Sequence, residues 1–184
     1  MKNSTNTTTL KKFILMSSYK TPETNWTNGS KGTILGIDPG SSLIGYGAIK
    51  KEAGKLTCLG YGTIKIEAEE SQLRLLEVRK SIKKILAEFK PDLVVLEKLF
   101  FFKNRKTVIQ VSETKGVIAL TVAEKNIPLR EIAPLELKRA LTSYGRASKE
   151  NIQKIVKLIL NLKEEPRPDD AADALGLAIL GANY

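Results

Sequence analysis

Thr33-Ile-Leu-Gly-Ile-Asp38-Pro-Gly40 decides how this chain folds. An apolar run leads straight into a carboxylate, and Pro39-Gly40 then forces a turn. The run is a buried strand with a charge at its C-terminal end. Asp92-Leu-Val-Val-Leu-Glu97 repeats the device, closing a second apolar run on Glu97. A charge so placed must be solvated, paired or bound to a metal, because isolated burial is costly. In open α/β sheets that edge is also where ligands bind.

Working outward from Asp38, residues 43–50 and 56–66 alternate around Glu52-Ala-Gly-Lys55, which predicts a hairpin. Leu73, Leu76, Ile82, Ile85, Leu86 and Phe89 recur at helical spacing, so 72–89 is expected to be a helix that Lys90-Pro91 stops. A long helix is predicted at 106–126 and a short strand at 128–133. Helices at 134–143, 148–161 and 169–182 complete the order. Three strands followed by strands separated by helices predict an α/β fold, a mixed five-stranded sheet flanked by helices.

The last helix brings further acids. In Pro168-Asp-Asp-Ala-Ala-Asp-Ala-Leu175, Asp169 suits the capping position, while Asp170 and Asp173 share one helical face. Capping does not account for two more acids separated by alanines. Ala171, Ala172 and Ala174 suggest close packing on a sheet, which would carry Asp170 and Asp173 toward the strand ends.

Composition narrows the chemistry. The 184 residues hold 30 Lys and Arg against 20 Asp and Glu, a net +10, and no histidine. Histidine-based nucleophilic and zinc sites are thereby excluded. The single cysteine, Cys58, excludes an internal disulfide or a thiolate metal cluster. Asp38, Glu97, Asp170 and Asp173 are four oxygen ligands that select a hard cation, Mg²⁺ with Mn²⁺ as a substitute. Two such ions would activate a water and stabilise the leaving 3′-oxygen of a phosphodiester. A basic chain with an acidic point suits a nuclease, with nucleic acid preferred over membrane as partner.

Residues 1–31 stand apart, with Lys2, Lys11, Lys12, Lys20 and Lys31 against Glu23 alone and no apolar period. They are expected to form a disordered basic tail ahead of a domain at 32–184. Either a transit peptide or an overlong gene start, with Met16 as an alternative initiator, would explain them. The apolar run Phe13–Met16 falls far short of the roughly 20 residues that span a bilayer.

Three motifs together resemble the RuvC-type crossover junction endodeoxyribonucleases, the bacterial Holliday-junction resolvases. They are Gly36-Ile-Asp-Pro-Gly40-Ser41 with Gly45-Tyr-Gly47, Leu96-Glu97-Lys-Leu-Phe100-Phe-Phe-Lys-Asn104, and Asp170-Ala-Ala-Asp-Ala-Leu175. The similarity runs from about Thr33 to Leu180; the tail is foreign to it. It implies a ribonuclease H-like fold and a cytoplasmic homodimer that makes paired Mg²⁺-dependent nicks across a four-way DNA junction. The RuvA-RuvB branch-migration complex is the partner it implies. Asp38, Glu97, Asp170 and Asp173 match the family's metal-binding acids, and Lys138 and Lys149 its catalytic-site lysines. Phe100 matches an aromatic that stacks on unpaired bases. Lys103, Arg105 and Lys106 beside it, with Arg139 and Arg146, are expected to hold phosphates. Helix 106–126 resembles the dimer-forming segment, with Val108, Val111, Val117 and Leu120 available to pack.

Other readings are an actin-like ATPase or sugar kinase, a catalytically inactive junction-binding relative, and a ribonuclease H-like RNA-processing nuclease. The first needs a second copy of the fold, for which the chain is too short. The second conflicts with the presence of all four acids. The third usually lacks an aromatic segment such as 99–102.

Overall fold

The computed structural model describes residues 26–27, 29–98, 105–142 and 149–183. β1 (Gly32–Asp38), β2 (Leu43–Glu52) and β3 (Lys55–Lys65) form an antiparallel meander. Ala53 and Gly54 both take positive φ, which a two-residue hairpin turn requires for its twist. α1 (Ser71–Phe89) follows and ends as expected at Lys90, whose left-handed backbone donates its N–H to the Leu86 carbonyl. β4 (Leu93–Glu97) returns parallel to β1, and β5 (Leu129–Ile132) lies parallel to β4. The strand order is β3-β2-β1-β4-β5, the mixed five-stranded sheet that the sequence pattern predicts.

α2 (Arg105–Ala123) joins β4 to β5, while α3 (Pro134–Thr142), α4 (Lys149–Leu160) and α5 (Asp169–Ala182) close the chain. α2 is shorter than the expected 106–126. Asn126 turns into the left-handed region and Ile127 N–H bonds back to the Val122 carbonyl, so Pro128 follows an already finished helix.

Strand parity divides the core into two layers. Ile34, Leu93 and Val95 join Leu137, Ile152, Val156, Leu175 and Ile179 on the face covered by α3, α4 and α5. Leu35, Ile37, Val94 and Leu96 join Val78, Ile82, Ile118 and Val122 on the opposite face under α1 and α2. Trp26 packs against the first layer, a role its tail-like surroundings in sequence do not suggest. Among the described residues, no helix is long and apolar enough to cross a membrane.

Candidate active site

The parity that builds the core also aims the acids. Asp38 follows Ile34 and Gly36 on the α5 face of β1, and Glu97 follows Leu93 and Val95 on the same face of β4. Because Ile37 is in register with Leu96, Asp38 and Glu97 end adjacent parallel strands at the same level.

Glycines then let α5 descend onto the sheet. A Cβ at Gly36 would fall on the Ala174 carbonyl oxygen, and one at Gly47 would lie 2.7 Å from the Leu175 nitrogen. Gly45, the β2 partner of Asp38, has the Asp170 backbone directly over it. The spacing of Gly36, Gly45 and Gly47 therefore has a steric cause: these positions form a floor low enough for a helix backbone. Ala171, Ala174 and Ala178 are fully buried at this contact, as their small size in the sequence suggests. The helix is also tied at both ends. The Lys51 ammonium donates to the Ala182 carbonyl at its C-terminus. At its N-terminus, Gln153 of α4 donates to Asp169 Oδ1 at 3.2 Å.

Asp169 does not fill the expected capping position. Pro168 occupies it without a side-chain cap, and Asp169 is the first helical residue. Asp170 lies in the first turn and Asp173 one step beyond it.

Asp38 and Glu97 feel the neighbouring acids strongly. Burial, then repulsion from Glu97, Asp173 and Asp170, pushes the Asp38 carboxyl up to about 8. Burial and the Asp173 charge raise Glu97 to about 7, against the opposing pull of a hydrogen bond from Asp38 and the Lys138 and Lys115 charges. The hydrogen bond between Asp38 and Glu97 makes them a pair that shares a proton, both held above the usual carboxylate range. A site that holds a proton where carboxylates are ordinarily ionised is short of positive charge, and a cation can supply it. Among the described residues, no group of three or more His, Cys, Asp or Glu is placed so as to hold a metal ion on its own. The donor set instead fits an ion held by one or two carboxylates at a time, its shell completed by water and phosphate oxygens, as Mg²⁺ prefers.

Of the expected cationic residues, Lys138 on α3 faces this cluster, as its influence on Glu97 records. Arg139, its neighbour, is exposed. Lys149 opens α4, and Arg105 and Lys106 open α2. Phe100, Lys103 and Arg146 lie outside the described residues, as do residues 1–25 of the expected tail. One charge near the site was not anticipated: Lys115 of α2, paired with Glu131 of β5 at 2.9 Å and acting on Glu97. Only the β4–β5 register, Leu96 beside Glu131, brings it there. The anticipated packing face of α2 also divides. Val111 is buried and Val117 packs against the α1–α2 layer, whereas Leu120 and Ile109 are 58% and 60% exposed.

A family model described as crossover junction endodeoxyribonuclease RuvC matches residues 34–181. A protein of that name from Syntrophomonas wolfei is 47% identical over 147 residues, 79% of this chain and 86% of the relative. Another from Petrotoga mobilis is 45% identical over 152 residues, covering 82% and 93%. Among solved structures, T. thermophilus RuvC in complex with Holliday junction substrate superposes with a TM-score of 0.72 at 29% identity, covering 80% of this chain and 90% of that one. The yeast mitochondrial Holliday junction resolvase Ydc2, at 16% identity and a TM-score of 0.63, shares the fold. The fold is ribonuclease H-like, with the mixed sheet described above.

Proposed function

This chain belongs to the RuvC family of crossover junction endodeoxyribonucleases, and on that premise we propose how its residues divide the work of resolving a four-way DNA junction. The observation that carries the assignment is the convergence of Asp38 and Glu97, from two strand ends, with Asp170 and Asp173, from the helix seated on them. Two Mg²⁺ ions, or Mn²⁺ in their place, supply when bound the activation of water and stabilisation of the leaving 3′-oxygen in an in-line phosphodiester attack. Asp38 and Glu97 would hold them from the sheet, and Asp170 and Asp173 from the helix. The raised proton affinity of Asp38 and Glu97 means that loading the site releases protons.

Lys138 keeps a positive charge next to Glu97, where it attracts the scissile phosphate and favours the ionised carboxylate. Lys149 serves the same phosphate from the start of α4. Phe100 stacks on unpaired bases at the branch point, a contact worth about 1–3 kcal/mol per base. Lys103, Arg105, Lys106, Arg139 and Arg146 hold flanking backbone, and that part of the affinity falls as salt rises. The exposed Ile109 and Leu120 on α2, with Leu73 and Leu76 on α1, support a homodimer whose two-fold axis places two such sites on symmetric strands. Branch migration by RuvA and RuvB is the process this activity would complete. Residues 32–184 constitute the nuclease domain, and of the basic segment before it Trp26 packs against the domain's core.

Asp38→Asn is the direct test. It should bind a synthetic four-way junction as wild type does and lose Mg²⁺-dependent cleavage. Undiminished cleavage by that variant would overturn the site.

A further inference from the structure

The turn that follows Asp38 is held from the far side of the sheet. Gly40 packs so tightly under the Leu43 carbonyl that no Cβ fits, and Ile66 N–H bonds the Ser42 carbonyl at 2.9 Å. A second carbonyl of the turn, on Ser41, accepts a hydrogen bond from Nη1 of Arg74 at 2.9 Å. Arg74 lies on α1, only 7% exposed, and its other nitrogen, Nη2, meets Glu113 Oε2 of α2 at 3.0 Å. One guanidinium thus ties the turn carrying Asp38 to α1 and α2 together.

A buried guanidinium is an inefficient way to gain stability. Desolvating it is costly, and replacing both members of a buried ion pair by apolar groups is often neutral or stabilising. What the guanidinium supplies is direction: a planar fork whose two nitrogens point at two fixed acceptors, which an ammonium cannot do from one position. We propose that Arg74 is a positioning residue for the catalytic turn, fixing Asp38 relative to Glu97, and that Glu113 orients it from α2. The proposal rests on the nuclease reading above. Arg74 bonds the Ser41 carbonyl and Glu113 and none of the four acids, so its contribution is assigned to the rate of cleavage and not to junction affinity.

The experiment compares wild type, Arg74→Met, Arg74→Lys and Glu113→Gln in three measurements. These are junction affinity, single-turnover cleavage at saturating junction with Mg²⁺, and thermal unfolding. Misplacing a reacting group by about 1 Å costs on the order of 100-fold. Arg74→Met should therefore cleave at least about 10-fold more slowly while it remains folded at the assay temperature and its affinity stays within about 2-fold. Arg74→Lys should not restore the rate, and Glu113→Gln should show a smaller loss in the same direction. Wild-type cleavage by folded Arg74→Met, or a parallel loss of affinity and rate, would overturn the proposal. If Arg74→Met does not fold, Glu113→Gln decides: slower cleavage at unchanged affinity supports the role, and a wild-type rate refutes it. Failure of the wild-type protein itself to cut the junction would overturn the nuclease reading instead.

Discussion

Removing one acid should make the metal-free protein more stable. Asp38 would titrate near 3.8 in an unfolded chain, but burial and its three acidic neighbours hold it at about 8 in the fold. For a carboxyl shifted upward, the folded state binds the proton more tightly. Its favourable contribution is complete below the unfolded value and is lost as pH rises toward the folded one. Between pH 5 and pH 8 the penalty therefore grows across three pH units, roughly 4 kcal/mol at about 1.4 kcal/mol per unit. Asp38 keeps partial contact with solvent, which reduces this to about 2 kcal/mol, or about 4–8 °C in a domain of this size. Asp38→Asn removes the charge and keeps a donor for Glu97. Thermal unfolding with a chelator at both pH values checks this. The unfolding temperature of the variant minus that of wild type should grow by about 4–8 °C from pH 5 to pH 8. Added Mg²⁺ should then close part of the gap by stabilising wild type more than the variant. An identical difference at both pH values, or a variant less stable at pH 8, would refute the claim that these acids are crowded and undercompensated.

Two further substitutions probe the same site. Gly36→Val should destabilise the protein by at least about 2–3 kcal/mol in denaturant unfolding and cut cleavage further, because its Cβ would stand 2.8 Å from the Ala178 nitrogen and push α5 off the sheet. A variant as stable as wild type would mean that the helix does not sit on that floor. Lys138→Met removes a charge that lowers the proton affinity of Glu97, so the acidic limb of the cleavage–pH profile should shift upward and the maximal rate fall about 10-fold or more. An unmoved profile would place Lys138 away from the reacting carboxylates.

Elements whose cause is local were legible in the sequence. The apolar runs ending at Asp38 and Glu97, the Ala53–Gly54 turn and the stop at Lys90-Pro91 each depend on neighbours along the chain. The same order also yielded the mixed sheet, because a strand returning through a helix pairs in parallel. Asp170 and Asp173 could be placed near the strand ends from their alanine spacing alone. Which glycine lies beneath which helical carbonyl could not, since Gly45 meets Asp170 only through the registers of β1 and β2. Arg74, Lys115 and Gln153 escaped notice for a similar reason. Each sits on an ordinary amphipathic helix, and its partner at Ser41, Glu131 or Asp169 belongs to a different element. Asp169 shows the limit of a composition rule: an acid before a helix reads as a cap, yet Pro168 takes that place and the acid engages α4 instead. Trp26 likewise looks like tail in sequence and packs as core.

The most direct test of the account is to incubate the wild-type protein with a synthetic four-way junction and with a linear duplex of the same sequence, each with and without Mg²⁺. Paired nicks in strands of like polarity at the junction, dependent on Mg²⁺ and absent from the duplex, are the predicted result. Equal cutting of both substrates, or cutting that persists in excess chelator, would contradict it.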